Sequence, residues 1–343
     1  MRQLKGFKLS DHTTLRVGGL ATTVCEIQSP SDIQDFVHEY GNQDFFVLGG
    51  GSNIVAPDHE IKTPIAYMQL VNSSAKTDGD FVEINAGSGM LWDDFVADAV
   101  DQGLSGVETL SGIPGTVGAS PIQNIGAYGT EVNSSIKSVQ LVDGTTGKSR
   151  ILTNEELKFS YRFSILKNLT SRFIIEKVTF RLKRDKNSKI TNYPQVAESL
   201  GINPGESVSI KELRNAILAI RKSKGMILDA KDHDTFSVGS FFINPIISKA
   251  DADKLPTDAP RWPQADGRIK TSAAWLMEHA GVLKGEKIAG AQISERHVLA
   301  LTNSGSAKAD DIIKLAKVSK QRVFEKFGIE LKAEVQLIGL DLN

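Results

Sequence analysis

Cysteine is nearly missing from this chain. Cys25 stands alone among 343 residues, so no internal disulfide can form, and no Cys/His cluster shows zinc-ligand spacing. Such usage fits a reducing compartment. An excess of either charge is missing too: 40 Lys+Arg face 41 Asp+Glu, leaving a net charge of −1. That balance excludes the basic surplus of a typical nucleic-acid protein. No uncharged apolar run is long enough to span a bilayer, and the opening MRQLKGFKLSDHTT lacks the apolar centre of a signal peptide. Internal repeats and low-complexity tracts are likewise absent. The expectation is a soluble cytoplasmic protein with no nucleic acid, membrane or metal among its partners.

What is present begins with length, since 343 residues exceed one ordinary core and imply two or three domains. The most unusual stretch is LSGIPGTVGASPIQNIGAYG, residues 110–129, which carries no charge and is neither amphipathic nor alternating. Its glycines at 112, 115, 118, 126 and 129 permit positive φ and close backbone approach. Exposed amides there can form an anion nest, while Ser120, Gln123, Asn124 and Tyr128 can hydrogen-bond a heterocycle. A structureless surface loop of this length is the plainer alternative, and it is uncommon in a compact domain.

A second glycine loop, GGGSN at 49–53, follows directly on the apolar strand 45–48. No Gly-Lys-Ser/Thr follows it and it does not open a helix as G-x-G-x-x-G, so neither a P-loop nor a Rossmann site is predicted. Periodicity predicts helices over 29–41, with Ser31 or Asp32 as cap, and over 91–102, with Leu91, Phe95, Val96, Ala99 and Val100 inward. Further helices are predicted over 210–222, 272–280 and 310–327. Strands are predicted within 15–27 and over 81–86, 136–142, 173–182 and 297–303. Residues 329–337 alternate cleanly and read as a half-buried strand. Trp92, Trp262 and Trp275 read as packing residues.

Further motifs complete a set: Tyr161-Arg162-Phe163-Ser164, Gly239-Ser240-Phe241-Phe242-Ile243-Asn244-Pro245 and Glu334-Val335 before Ile338-Gly339. With the two glycine loops, these resemble the UDP-N-acetylenolpyruvoylglucosamine reductase family from about Thr14 to Gly339. The resemblance implies an α+β fold: a two-part FAD-binding fold of the vanillyl-alcohol-oxidase type and a C-terminal α/β substrate-binding domain. Implied bounds are 1–70 and 71–224 with 334–343 for the FAD-binding parts, and 225–333 for the substrate domain. Non-covalent FAD would lie against Gly49, Gly50, Gly51, Ser52, Asn53, Ile113, Pro114, Gly115, Gly118, Ala119, Ser120, Gln123, Asn124, Gly126, Ala127 and Tyr128. NADPH is the implied co-substrate and a monomer the implied state. Tyr193 and the segment around it suggest the family's longer type, in which a tyrosine loop folds over substrate.

The implied reaction adds hydride to the methylene carbon of a UDP-sugar enolpyruvyl ether and a proton to the carbon bearing the carboxylate. Arg162 and Glu334 would stabilise the charge that develops, and Ser240 would donate the proton. Tyr161, Tyr193, Arg221, Lys224, Asn244 and His297 are the implied substrate contacts. By pattern alone these residues read more plainly: Glu334 as a polar-face strand residue, Ser240 as a turn serine, Arg162 as a surface ion-pair partner. Arg221 likewise reads as a solvated helix end, Tyr193 before Pro194 as a turn cap, and His297 as a structural or exposed side chain. The chain departs from the family's usual residues at Leu166, Ile243 and His297, none of them an implied catalytic position. An oxidase on the same flavin fold and a flavin-binding sensor are the competing functions. The glycine loops hold no obvious His or Cys for covalent flavin attachment, which weighs against the oxidase. A sensor would not require Arg162, Ser240 and Glu334.

Overall fold

The computed structural model describes residues 1–169, 172–189, 193–203 and 205–342. Contacts divide the chain into two compact units. The first comprises 1–7, 21–51 and 61–223; the second comprises 8–20, 52–60 and 224–343.

The first unit holds two sheets. In the smaller, Arg2–Leu4, Val24–Ile27, Ile65–Met68 and Phe46–Leu48 lie side by side, the last three parallel. Helix α1 (Pro30–Tyr40) covers it with Ile33, Phe36 and Val37. The cap is Ser29 and not Ser31 or Asp32: its hydroxyl accepts from the Asp32 amide, and the Asp32 carboxylate takes the Ser29 amide at 2.9 Å. Asp32 thus sits at the third helical position, completing a capping box. The larger sheet is antiparallel in the order Ser149–Thr153, Ile136–Asp143, Phe173–Arg184, Phe81–Gly87, Ser73–Asp78. Helix α2 (Trp92–Asp101) buries Trp92, Phe95, Val96, Ala99 and Val100 against that sheet's core. Leu91, expected inward, is the N-cap and is 54% exposed, so Trp92 takes its place.

After that sheet come α3 (Pro194–Leu200) and α4 (Ile210–Ser223), which share a small core of Val196, Leu213, Ile217 and Ile220. Helix α3 was not foreseen. Pro194 opens it, as proline suits a first helical turn, and Gly201 closes it at φ 66°. The segment 190–192 leading into Tyr193 lies outside the described residues.

In the second unit, Ser237–Ser240, Ala300–Asn303, Ala291–Ile293 and Lys287–Ile288 form an antiparallel sheet. Helices α5 (Lys249–Asp253), α6 (Ala273–His279) and α7 (Ala309–Phe327) accompany it. Phe241, Phe242, Leu276, Met277, Ile293, Leu301, Ile312 and Val323 fill its core. The strand expected over 297–303 begins at Ala300, because the Ala300 amide turns back to the His297 carbonyl. The alternation over 329–337 is real, with Ile329, Leu331 and Val335 buried. Only Gln336–Leu337 forms a ladder, parallel to Ile54–Val55, with one bridge from Ala333 to Phe242. The partners there are too short to extend the pairing. That pairing also places 334–343, expected with the FAD-binding part, in the second unit by contact. Trp92 is buried as expected, whereas Trp262 is 44% exposed on an edge strand and is no packing residue. Among the described residues, no helix is long and apolar enough to cross a membrane.

Candidate active site

The uncharged stretch 110–129 is mostly irregular backbone, with one 3-10 turn at Val117–Ala119 and a short hairpin from Gly126 to Glu131. The first unit's core ties it down. The Trp92 indole donates to the Leu110 carbonyl at 2.9 Å, and the Val117 and Gly118 amides donate to Met90 and Ser88. A methyl group on Gly118 would lie 2.5 Å from the Ser88 Cβ, and one on Gly50 would lie 2.8 Å from the Gly115 Cα. The two glycine loops therefore touch backbone to backbone. Gly118 and Gly126, expected to use positive φ, do not; close packing is what excludes a side chain there.

Where these loops meet, the amides of Gly50, Gly51, Gly115 and Thr116 donate to no acceptor among the described residues. Successive open amides on uncharged, glycine-built backbone form the nest that a diphosphate requires. By this test the loops fit FAD. Gly50→Ala is expected to cost about 1–3 kcal/mol, since its methyl group meets main chain that cannot step aside. Thermal unfolding and the ratio of flavin to protein check this, and an unchanged ratio with an unchanged melting temperature would refute it.

The start of the long stretch is fixed by charge. The Gly112 amide donates to Asp93 at 2.5 Å, and Arg214 forks onto the same carboxylate at 2.6 and 2.9 Å. Burial pushes the Asp93 carboxyl upward, but the Arg214 guanidinium and the Gly112 amide outweigh it and hold the group below its ordinary value. A pKa lowered by folding stabilises above the unfolded value of about 3.9 and is lost as pH falls through the lowered folded value. Asp93→Asn is thus expected to be less stable than the parent at neutral pH, with the gap closing in acid. Denaturant midpoints at several pH values check this.

Arg221, at the end of α4, is not the solvated helix end that pattern suggested. Its Nε donates to the Gly112 carbonyl at 3.1 Å, and it hydrogen-bonds the Tyr128 phenol. Burial pushes the Tyr128 phenol up. Tyr193 stands edge-on to Tyr128 at 5.3 Å between ring centres and is 37% exposed. Gly112, Tyr128, Tyr193 and Arg221 therefore gather in one place.

Arg162 sits in a tight turn closed by two hydrogen bonds between Ser160 and Phe163, both 3.0 Å. Its φ of 53° is left-handed, a strained choice for arginine and the kind that collects at functional sites. From there its guanidinium donates to the Gly126 carbonyl at 2.9 Å and lies 5.6 Å from the centre of the Tyr161 ring. Ser120 is buried and donates to the Val117 carbonyl, and Asn124 is fully enclosed. Sequence reading missed Ser164 as more than a motif letter: it too is fully buried, and it donates to the Ile122 carbonyl at 2.8 Å.

In the second unit, Gly239 takes φ 73° inside the strand that ends at Ser240, and the pairing with Ala300–Asn303 bulges there. A bulge of this kind re-aims the next side chain. The Glu334 amide donates to the Phe241 carbonyl at 2.8 Å, and the Ile243 amide to the Lys332 carbonyl. Ser240 and Glu334, 94 positions apart, are thereby brought onto neighbouring backbone, both half-buried. Asn53, read from sequence as a flavin contact, donates to the Glu334 carbonyl at 3.4 Å and accepts from the Gln336 amide at 2.9 Å. The Asn244 side-chain oxygen accepts the Ala273 amide at the start of α6. The His297 amide donates to Ser294, whose hydroxyl is held by Asp234, itself paired with Arg296. Lys224 is half-buried at the head of the unit's longest segment.

A family model described as FAD binding domain matches residues 21–153, the part that contains both glycine loops. A second, described as UDP-N-acetylenolpyruvoylglucosamine reductase, C-terminal domain, matches 231–338, the part that contains Ser240 and Glu334. The UDP-N-acetylenolpyruvoylglucosamine reductase of Thermobifida fusca is 41% identical over 347 residues, covering 97% of this chain and 97% of that protein. That of Mycolicibacterium gilvum is 41% identical over 340 residues, with 97% and 95% covered. Among solved structures, UDP-N-acetylenolpyruvylglucosamine reductase from Thermus caldophilus superposes with a TM-score of 0.67 at 25% identity, over 98% of this chain and 99% of that one. The α+β class is the expected one, an FAD-binding fold followed by the family's C-terminal domain. The chain belongs to the UDP-N-acetylenolpyruvoylglucosamine reductase family of FAD-dependent oxidoreductases.

Proposed function

We propose that this protein reduces UDP-N-acetylglucosamine enolpyruvate to UDP-N-acetylmuramate with electrons from NADPH, as a cytoplasmic monomer in cell-wall precursor synthesis. The observation that supports the reading is the backbone bond from Glu334 to Phe241, which brings Glu334 onto main chain next to the bulged strand that ends at Ser240. Bound FAD would supply the two electrons as hydride, arriving at the methylene carbon. The first unit would hold it on the amides at Gly50, Gly51, Gly115 and Thr116. Other backbone at 49–53 and 113–128, with the side chains of Ser52, Gln123 and Tyr128, would complete the cradle.

The chain's own side chains do the rest. Arg162 presents a planar fork to the substrate carboxylate, where negative charge grows as the α-carbon becomes carbanion-like. Glu334 assists as an acid near the same charge, a role that requires it to be protonated. The Ser240 hydroxyl gives its proton to the α-carbon, so the ether gains one hydride and one proton in all. Tyr161, Tyr193, Arg221, Lys224, Asn244 and His297 are the proposed contacts for the rest of the substrate.

The test is an anaerobic visible spectrum. The flavin band is expected to bleach with NADPH and to return when UDP-N-acetylglucosamine enolpyruvate is added. Bleaching without return would point to another oxidoreductase on this fold, and no flavin after reconstitution would refute the cradle.

A further inference from the structure

Asn124 was expected to touch the cofactor, and its surroundings argue otherwise. The side chain is 0% exposed, so it offers no surface to a ligand. Its amide nitrogen donates to the Glu131 carboxylate at 2.7 Å and to the Ser160 carbonyl at 3.1 Å, and its oxygen accepts the Asn133 amide at 3.1 Å. Both donors and one acceptor site are thus used within the protein. Asparagine also tolerates the left-handed φ of 48° found there better than almost any residue but glycine.

Ser160 is the first residue of the turn that carries Arg162, and Ser164 follows the turn's last residue. Asn124 holds the turn at its entry through Ser160, and the stretch 110–129 holds it at its exit, where Ser164 donates to Ile122. Between these two anchors Arg162 keeps a strained φ of 53° that its own bond to Gly126 would not enforce alone.

We infer that Asn124, together with Ser164, is a positioning residue that acts on the reaction through Arg162, and not a cofactor contact. This rests on the role proposed above for Arg162. Losing one anchor leaves Arg162 in place but spreads its guanidinium over several orientations, so its fork meets the substrate carboxylate less often.

The experiment compares Asn124→Ala, Ser164→Ala, Arg162→Ala and the double variant Asn124→Ala with Arg162→Ala, all as flavin-loaded enzyme. Three quantities are read: the flavin-to-protein ratio, the rate at which UDP-N-acetylglucosamine enolpyruvate reoxidises the reduced flavin, and the Kd of UDP-N-acetylmuramate by calorimetry without turnover. Asn124→Ala is expected to keep its flavin, to slow reoxidation about tenfold and to weaken product binding. On the Arg162→Ala background it is expected to add nothing, because residues acting as one unit are non-additive. A flavin-poor Asn124→Ala that reoxidises normally per flavin would overturn the inference, and so would a full tenfold loss retained on the Arg162→Ala background. Should Asn124→Ala not fold, Ser164→Ala removes a single hydroxyl and is expected to show the same non-additive loss; normal reoxidation in it would overturn the inference. If Arg162→Ala itself reoxidises normally, the role of Arg162 falls, which is a different result from an inert Asn124.

Discussion

Replacing Ser240 by alanine is expected to slow reoxidation of the reduced flavin by the enolpyruvyl sugar by about 10²–10⁴-fold, while NADPH still bleaches the flavin at close to the parent rate. A hydroxyl is a feeble acid in water, but the carbon it serves is strongly basic once hydride has reached the neighbouring atom. A positioned O–H then suffices. Gly239 and the bulge beside it shape the backbone at Ser240, and removing Oγ leaves both untouched. The alanine variant should therefore keep its flavin and its melting temperature. Stopped-flow absorbance at the flavin band separates the two half-reactions. Equal loss of both, or of neither, would remove Ser240 from the role of proton donor.

Much of this architecture could be read from the sequence because local rules and tertiary structure agree. Helices α1, α4 and α7 form where they were predicted, each with a buried apolar stripe, and Gly328 ends α7 at φ 66°. What failed was context. Leu91 and Trp92 are both apolar at the start of α2, and only the Trp92 indole, with the Leu110 carbonyl to reach, goes inside. The alternation of 329–337 predicts burial correctly but says nothing about partners, and a strand exists only where a partner is long enough.

The glycine loops were legible as a pair, yet the reason for their glycines was only half visible. Gly50 and Gly118 are excluded from carrying side chains by the Gly115 backbone and by Ser88, which no spacing rule reveals. Asparagines were the least legible. Asn53, Asn124 and Asn244 are ligand contacts by the family resemblance, and each also hydrogen-bonds main chain, a role that no motif announces. A residue with two donors and an acceptor serves either purpose equally well by type.

Arg162→Ala is expected to lower the reoxidation rate by about 10²–10³-fold, the usual loss when one preorganised donor is taken from a developing charge. Lysine at the same position is expected to recover only a small part of this. It restores a positive charge, but a compact ammonium cannot place two parallel N–H groups on a carboxylate. Its stem would also leave from the same left-handed backbone, at φ 53°, that aims the guanidinium toward Gly126. Alanine takes the Arg162 donor from the Gly126 carbonyl, whereas a lysine ammonium can still donate there, so flavin content and melting temperature are compared first. Where they agree, any rate advantage of lysine over alanine measures charge, and the shortfall of lysine from the parent measures the fork. Flavin reduction by NADPH is the internal control. If it falls in step with reoxidation, the arginine is holding the loop and not the substrate. If lysine matches the parent, the bidentate contact is wrong and a simple positive charge is all that the reaction requires.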